Sequence, residues 1–359
     1  MKPNFKRITI KIGSNVLTKT DGSLDFTRMS ELVDQIAELY KQGVEIIIVS
    51  SGAVAAGRSK VLADKLDSVS ARQLFSSIGQ VKLINRYYML FRDHNITCGQ
   101  VLTTKESLNS RGHYLNQRNC MQVMIDNGVI PIVNENDTIS VTELMFTDND
   151  ELSGLVATMM DAEALIILSN IDGIYNGNPN DTGVEVIRKV LPEKRDLSAY
   201  IQTSKSCFGR GGMQTKTNIA GKVADEGVEV IIANGKKNNI LIDLMTKREQ
   251  TVCTRFIPSS GTSSIKKWIA HSEGFAKGEI HVNAGAKDAL TGNKATSVLF
   301  VGVTGIKGDF EKDDIVKIID TEGRQIGVGK VQYDSEKALS LIGKQGQRPL
   351  VHYDYLCLD

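Results

Sequence analysis

The sequence predicts an α/β fold with a mainly parallel sheet, followed by a smaller β-rich domain. Continuous apolar runs at residues 46–49 and 164–168 are typical of strands that are buried on both faces. Segments with helical spacing of apolar residues, such as 27–42, lie between these runs. After residue 278 the apolar runs are short and separated by glycine turns, which indicates a small β-barrel.

Strands and helices are predicted to alternate through the first domain. The first strand, residues 7–13, places Ile8, Ile10 and Ile12 on one face, and residues 46–49 form the second strand. The later elements are predicted as a helix over 70–91, a strand over 96–102, a helix over 111–126, a strand over 128–133, a helix over 152–160, a strand over 164–168, a helix reaching 226 and a strand over 228–232. This alternation favours a parallel sheet with helices packed on it.

Composition excludes several classes of protein. The 359 residues are 41% hydrophobic and 24% charged, as in an ordinary globular protein, and the net charge of +1 gives no general attraction for nucleic acid or membranes. The five cysteines are scattered without C-x-x-C spacing, which argues against a zinc site or a disulfide framework. The sequence shows no signal-peptide core and no run that could cross a bilayer, so we expect a cytoplasmic protein without membrane attachment.

Residues suited to ligand binding follow the predicted strands, beyond whose carboxyl ends α/β proteins bind their ligands. Ser51, Gly52 and Ala53 follow the second strand, and their small size would let the backbone approach an anion. The alternative is an ordinary strand-to-helix turn. Lys11 is predicted to point its ammonium into the crevice if its strand is internal, or into solvent if that strand lies at an edge.

Two polar clusters and a glycine-rich loop are further candidates. Residues 134–137 (Asn-Glu-Asn-Asp) end an apolar run, and residues 147–150 (Thr-Asp-Asn-Asp) precede an apolar helix. They could bind an ammonium group, a metal-nucleotide or a lysine, although Asp148 alone is better explained as a helix cap. The loop 209–216, with Lys216 at a helix start, fits a nucleotide clamp or a bare linker. Walker, G-x-G-x-x-G and H-E-x-x-H patterns are missing from the sequence.

Five motifs occur in the order expected of one known family. They are Lys11-Ile12-Gly13-Ser14, the segment from Val49 to Gly57, Asn134-Glu135-Asn136-Asp137, Asp148-Asn149-Asp150 and Gly211-Gly212-Met213-x-Thr215-Lys216. Together they resemble the amino acid kinase family and, within it, the kinases that act on L-glutamate. The resemblance implies a three-layer αβα sandwich like that of carbamate kinase, with a catalytic domain at 1–257, a linker at 258–275 and a PUA-like domain at 276–359.

The resemblance also implies a reaction, ligands and partners. The expected reaction transfers the γ-phosphoryl group of ATP, with Mg²⁺, to the side-chain carboxylate of L-glutamate, which is the first step of proline biosynthesis. Feedback inhibition by L-proline and a homo-oligomeric state are expected on the same basis. The alternatives are another kinase of the family, acting on aspartate or acetylglutamate, or an RNA-binding protein that acts through its tail.

Residue roles carried over from the resemblance fall into three groups, and no metal ligand is assigned to the protein. The expected catalytic residues are Lys11, Lys216 and Asp150. The expected substrate-binding residues are Ser51, Gly52, Ala53, Asn134, Asp137, Asp148 and Asn149. The expected ATP-binding residues are Lys11, Ser169, Asn170, Arg210, Gly211, Gly212, Met213, Gln214, Thr215 and Lys216. Asn170 stands where the family commonly has an aspartate, which puts an acidic contact to ribose or base in doubt.

The tail resembles the PUA domain, a module associated with RNA-modifying enzymes. Its glycine-rich turn is matched by Gly305-x-x-Gly308-Asp309-Phe310, while Asp313 stands where a glycine is frequent. Residues 271–359 carry 11 lysines and arginines against 13 aspartates and glutamates, a net charge of −2. Because RNA binding needs a basic surface, this charge argues against RNA as a partner and favours a structural or regulatory role.

Overall fold

The computed structural model describes residues 3–58, 67–105, 111–139, 149–178, 181–197, 200, 212–259, 276–292 and 296–358. The chain divides into two compact units. The first comprises Met1–Ser107 and Leu115–Gly261, and the second comprises Leu108–Tyr114 and Thr262–Asp359. The finer domain limits given above stay predictions. Within the described ranges, no helix combines the length and the apolar character needed to span a membrane.

The first unit is built on an eight-stranded sheet. In chain order its strands are β1 (Arg7–Ile12), β2 (Glu45–Ser50), β3 (Thr97–Thr103), β4 (Val129–Glu135), β5 (Ala164–Ser169), β6 (Lys189–Val190), β7 (Glu229–Asn234) and β8 (Thr254–Phe256). They lie in the order β3-β4-β2-β1-β5-β7-β8-β6. The first six in this order run parallel, and β8 pairs antiparallel to β7. The mainly parallel sheet is therefore confirmed.

Helices cover both faces of this sheet. They are α1 (Ser14–Leu17), α2 (Phe26–Lys41), α3 (Ala53–Arg58), α4 (Ser68–Asp93), α5 (Arg111–Asp126), α6 (Asn149–Met159), α7 (Met213–Asp225) and α8 (Ile240–Thr246). Ile166 of β5 packs into one core with α2, α4 and α8, whereas Ile167 packs into a second core with α7. Alternate residues of one strand thus enter opposite cores, which gives the predicted three layers.

Strand β1 lies at the centre of the sheet, between β2 and β5. Ile8, Ile10 and Ile12 are buried in the core shared with α2, because alternate residues of a strand point to the same face. Lys11 points to the other face and is only 5% exposed. The alternative that this strand lies at an edge, with Lys11 in solvent, is therefore wrong.

The second unit contains a five-stranded sheet and two helices. Its strands are β9 (Gly278–Val282), β10 (Val303–Gly308), β11 (Ile315–Ile319), β12 (Gln325–Val331) and β13 (Val351–Leu358), in the spatial order β10-β9-β11-β12-β13. In the described part of this unit the helices are α9 (Ala284–Thr291) and α10 (Ser335–Leu341), neither of which was predicted from the sequence. Asp313 adopts φ +77°, a conformation that favours glycine, and Lys330 Nζ donates to its carboxylate at 2.7 Å.

One apolar run of the tail does not form the strand that its composition predicts. The apolar run 297–303 suggests a strand, but Phe300–Gly302 forms a 3-10 turn and β10 begins only at Val303. Val298 and Phe300 are apolar because they fill the core of this unit. Strand β10 itself is rich in glycine and polar residues, so it gives little apolar signal.

Candidate active site

Three polar segments meet at the carboxyl edge of the sheet, where β2 and β4 end side by side. The amide Nδ2 of Asn149 donates to Ser51 Oγ at 2.9 Å and to Asn134 Oδ1 at 3.1 Å. It also donates to the Ser50 carbonyl at 3.2 Å. Ser51 and Asn149 are 98 residues apart in the sequence, so the fold brings together three of the residues that were expected to bind substrate.

An ion cluster joins β1, α6 and α7 at the same edge. Lys11 Nζ contacts one carboxylate oxygen of Asp150, and Lys216 Nζ donates to the other oxygen at 2.7 Å. Asp150 is completely buried, and the side chains of Lys11 and Lys216 are only 7% and 14% exposed. The three residues expected to be catalytic are therefore one contiguous group.

The charges of this cluster depend on one another. Burial alone would raise the pKa of Asp150, but the charges of Lys11 and Lys216 and their hydrogen bonds outweigh it and hold the pKa below its ordinary value. The carboxylate is thus an anion at neutral pH and holds two ammonium groups near one point. Two cations fixed in this way can stabilise negative charge that develops on a bound phosphoryl group.

A second cluster surrounds Asp137, just after β4. The guanidinium of Arg72, from α4, contacts Asp137 and lies 3.4 Å from Glu135. Burial raises the pKa of Asp137, and the Arg72 charge opposes that rise. Ser76 Oγ lies 3.4 Å from the other oxygen of Asp137. The sequence reading missed Arg72, whose partner is 65 residues away.

Helix α4 holds the segment that carries Asp137 through further polar contacts. Gln73 Nε2 donates to the Thr138 carbonyl at 2.8 Å, and Gln80 Nε2 donates to the Glu135 carbonyl at 3.2 Å. Arg72, Ser76 and Gln80 recur every four residues and so share one face of the helix. That polar stripe is the signal from which these contacts could have been found.

Helices α3 and α4 pack backbone against backbone. A Cβ atom on Gly79 would lie 1.7 Å from the Ala53 carbonyl oxygen, and one on Gly57 would lie 1.9 Å from that of Phe75. Only glycine allows such a close approach. Gly52 adopts φ +105° directly before α3, a backbone conformation that also favours glycine. Gly52 and Gly57 of the 51–57 segment are thus required by the local geometry.

The end of β5 lies beside the end of β7, where Ser169 is the register partner of Asn234. Ser169 Oγ is 3.4 Å from Asn170 Oδ1. Asp172 accepts from Asn234 Nδ2 at 2.8 Å and contacts Lys237 Nζ at 2.8 Å. These contacts outweigh the effect of burial and lower the pKa of Asp172. The carboxylate of Asp172 therefore lies two residues beyond Asn170, the position at which this chain lacks the aspartate common in the family.

Part of the glycine-rich loop and one acidic residue fall outside the described residues, namely Arg210, Gly211 and Asp148. From Gly212 onward the chain enters α7, whose first four residues are Met213, Gln214, Thr215 and Lys216. The Lys216 ammonium therefore reaches Asp150 from the first turn of this helix.

Comparison with known proteins identifies the family. A family model described as the amino acid kinase family matches residues 6–234, which is more than half of the chain. This chain belongs to the amino acid kinase family. Its full-length relatives include the glutamate 5-kinase of Bacteroides thetaiotaomicron, which is 68% identical with 100% of both chains covered. The glutamate 5-kinase of Chlorobaculum tepidum is 46% identical, with 99% of this chain and 98% of that one covered.

Solved structures of two kinases resemble most of this chain in fold. Carbamate kinase from Giardia lamblia bound to AMP-PNP matches with a TM-score of 0.54 at 15% identity, covering 71% of this chain and 99% of that chain. The UMP kinase of Bacillus anthracis matches with a TM-score of 0.50 at 16% identity, covering 71% and 97%. The PUA domain model matches residues 278–352, in the second unit. This amino acid kinase therefore carries a C-terminal PUA domain.

Proposed function

We propose that this amino acid kinase transfers the γ-phosphoryl group of ATP to the side-chain carboxylate of L-glutamate. An oxygen of that carboxylate forms a bond to the γ-phosphorus, the bond between this phosphorus and the β,γ-bridging oxygen breaks, and ADP leaves with the electron pair. The products are L-glutamyl 5-phosphate and ADP. The buried contact of Lys11 and Lys216 with Asp150 carries the proposal, and the full-length glutamate 5-kinase relatives indicate the acceptor.

The chemistry needs positive charge more than it needs a base. A glutamate side chain has an ordinary pKa of about 4.3, so the nucleophile is already ionised at neutral pH. Phosphoryl transfer spreads negative charge over the oxygens of the transferred group, and positioning with charge stabilisation supplies most of the catalysis. Lys11 and Lys216 are the cations in this proposal, and Asp150 keeps both ammonium groups in place.

The amino acid is proposed to bind between the second strand and the segment after the fourth. Asp137 receives the α-ammonium, while Asn134 and Asn149 donate or accept hydrogen bonds. The Ser51 hydroxyl and the backbone at Gly52 and Ala53 receive carboxylate oxygens. This assignment is supported by the contacts of Asn149 with Ser51 and Asn134, which keep the two sides of the pocket together.

The nucleotide is proposed to bind as MgATP beside Ser169, Asn170 and the first turn of α7. Within the ranges that the structure describes, no three His, Cys, Asp or Glu side chains are grouped to hold a metal ion. Mg²⁺ usually takes most of its ligands from phosphates and water in such sites, so it is assigned to the substrate. The Lys11 and Lys216 ammonium groups are suited to the phosphate end of the nucleotide.

The test combines ADP release with trapping of the acyl phosphate by hydroxylamine. L-Glutamate should give hydroxamate, whereas aspartate, acetylglutamate and uridylate should not. Lys216→Ala should lower the rate by about 10²-fold or more, because one of two preorganised cations is lost. Lys247→Ala is the matched control, since this lysine directly follows α8, its side chain is 53% exposed, and it pairs with Asp243 of that helix. Hydroxamate from another acceptor, or an unchanged rate in Lys216→Ala, would contradict the proposal.

A different acceptor within the family is the main competing function. Acetylglutamate and uridylate lack a free ammonium, so Asp137→Ala should leave their turnover unchanged but should greatly weaken turnover of glutamate. If folded protein turns over none of these acceptors, RNA binding by the second unit becomes the next assay. A binding affinity for RNA that falls steeply with salt would support that reading.

Regulation and assembly belong to the same proposal. L-Proline is proposed to compete at the glutamate pocket formed by the Ser51 loop and the 134–137 segment. Inhibition by proline that is relieved at higher glutamate concentration would support this proposal. An unchanged rate at high proline concentration would contradict it. A homo-oligomer is also proposed, and light scattering of the purified chain would measure its mass directly.

A further inference from the structure

Arg72 reaches the proposed amino-acid pocket from an element to which the sequence motifs assign no site residue. It lies in the first turns of α4, and its guanidinium contacts Asp137, which follows β4. The Arg72 side chain is 18% exposed and that of Asp137 is 9% exposed, so solvent screens this ion pair only in part. A charged hydrogen bond in such a setting is stronger than one on an open surface.

Arg72 divides its charge between two acids. Its Nη2 atom contacts the Asp137 carboxylate and lies 3.4 Å from Glu135 Oε2, and the Glu135 side chain is 4% exposed. One guanidinium group is thus shared between two buried carboxylates. The other Asp137 oxygen faces Ser76 Oγ at the long distance of 3.4 Å, which leaves it weakly held by that hydroxyl.

We propose that Arg72 is a positioning residue for this kinase: it fixes the Asp137 carboxylate so that one oxygen can receive the α-ammonium of the amino acid. The inference rests on the proposed function, because it assumes an amino-acid substrate at Asp137. Arg72 acts through Asp137 and needs no contact with the transferred phosphoryl group. Its loss should therefore change amino-acid binding more than the chemical step.

The charged groups around Asp137 set a direction for the pH dependence. Within the described part of the chain, the charged groups that face Asp137 include Arg72 from α4 and Glu135 from β4, and Ser76 adds a hydroxyl. Burial raises the pKa of Asp137 and Arg72 opposes the rise. Removing the guanidinium charge raises this pKa further, so Asp137 becomes protonated, and loses its attraction for ammonium, at a higher pH than in the unaltered enzyme.

The experiment measures kcat and KM for glutamate and for MgATP in Arg72→Gln and Arg72→Lys. Arg72→Gln should raise the KM for glutamate roughly 10- to 100-fold, which corresponds to losing one charged hydrogen bond. The KM for MgATP should stay within about twofold. Arg72→Lys keeps the charge and should recover part of the loss. Arg92→Gln is the matched control, because Arg92 lies on the same helix with its side chain 57% exposed.

A pH profile and a double variant separate positioning from simple structural damage. The acid limb of kcat/KM for glutamate should move to higher pH in Arg72→Gln; glutamate itself titrates identically in both enzymes, so the difference reports on the protein. In an Asp137→Asn background, Arg72→Gln should raise the KM for glutamate little further, since the effect of Arg72 passes through Asp137.

The outcomes keep this inference apart from the proposed function. If the unaltered enzyme gives no glutamyl hydroxamate, the proposed function fails first. If it turns over glutamate but Arg72→Gln leaves the acid limb in place, or raises both KM values equally, then Arg72 does not position Asp137. Full additivity of the two substitutions would lead to the same conclusion.

Discussion

Asp150 in the first unit and Asp320 in the second are both buried carboxylates, but they are stabilised by different kinds of partner. Asp150 contacts the ammonium groups of Lys11 and Lys216, which belong to other elements. Asp320 accepts from the backbone amides of Glu322 and Arg324, each at 2.9 Å. Two buried acids that look alike in the sequence therefore have different surroundings.

Asp320 belongs to the turn between β11 and β12. Lys287 Nζ from α9 donates to it at 2.7 Å, and this bond, together with the turn amides, lowers the pKa of Asp320 to about 2. The carboxylate thus closes a local turn and ties one helix to it. Asp150 instead gathers side-chain cations at the edge of the sheet where ligands bind in α/β folds. We therefore expect loss of Asp150 to affect both catalysis and stability, and loss of Asp320 to affect stability alone.

The largest effect is expected from Asp150→Asn. The substitution leaves two buried ammonium groups without their carboxylate, so the rate of hydroxamate formation should fall on the order of 10²-fold. The free energy of unfolding should also fall, by about 3–5 kcal/mol. Steady-state kinetics and denaturant unfolding measure the two losses separately. A normal rate in Asp150→Asn would show that Asp150, like Asp320, affects stability alone.

A smaller effect, confined to stability, is expected from Asp320→Asn. The substitution removes the carboxylate that accepts from Lys287 and from the turn, so the Tm of the second unit should fall while kcat stays unchanged. Because the pKa of Asp320 is depressed to about 2, its stabilisation is present above the ordinary pKa of 3.8 and is lost as pH falls toward 2. Asp288→Asn, at an exposed position of α9, is the control. Loss of glutamate turnover in Asp320→Asn would break the comparison.

The smallest effect is expected from Asp313→Gly, which tests a third acid with a strained backbone. Glycine relieves the positive φ of +77° but loses the hydrogen bond from Lys330. These changes oppose each other, so the free energy of unfolding should change by less than about 1 kcal/mol. Thermal unfolding measures the sum, and a double-mutant cycle with Lys330→Met isolates the ion-pair contribution from the contact of Lys330 with the Tyr355 ring. A loss well above 1 kcal/mol would mean that the Lys330 contact dominates.

The sequence was sufficient for the central sheet because β2, β5 and β7 have the continuous apolar runs of buried parallel strands, and β1 alternates isoleucine with polar residues. It was insufficient for β6 and β8, which are two and three residues long and too short to show a period. In the tail, Phe300 fills a core from a 3-10 turn, so its apolar neighbourhood resembled a strand. Apolar content predicts burial more directly than it predicts backbone conformation.

The polar residues that meet at the sheet edge could be predicted where they are concentrated in consecutive positions, as at 134–137 and at Asn149 and Asp150. Arg72 could not be found in this way, because a single arginine in an amphipathic helix is usually solvated and its partner lies 65 residues away. The direct contact of Lys11 and Lys216 with one carboxylate likewise depends on how β1, α6 and α7 are placed. Local spacing such as the polar stripe of α4 marks a face that needs polar partners, but only the fold determines which residues those partners are.

The glycines at the crossing of α3 and α4 have a consequence for anyone who wishes to retarget this enzyme. Because a methyl group on Gly57 or Gly79 would collide with backbone atoms, the two helices can be treated as one rigid part. Libraries that diversify either glycine would mostly yield misfolded variants, whereas the polar stripe of α4 can be varied without separating the helices. Acceptor preference is therefore better explored at Arg72 and Ser76 than in the glycine segment itself.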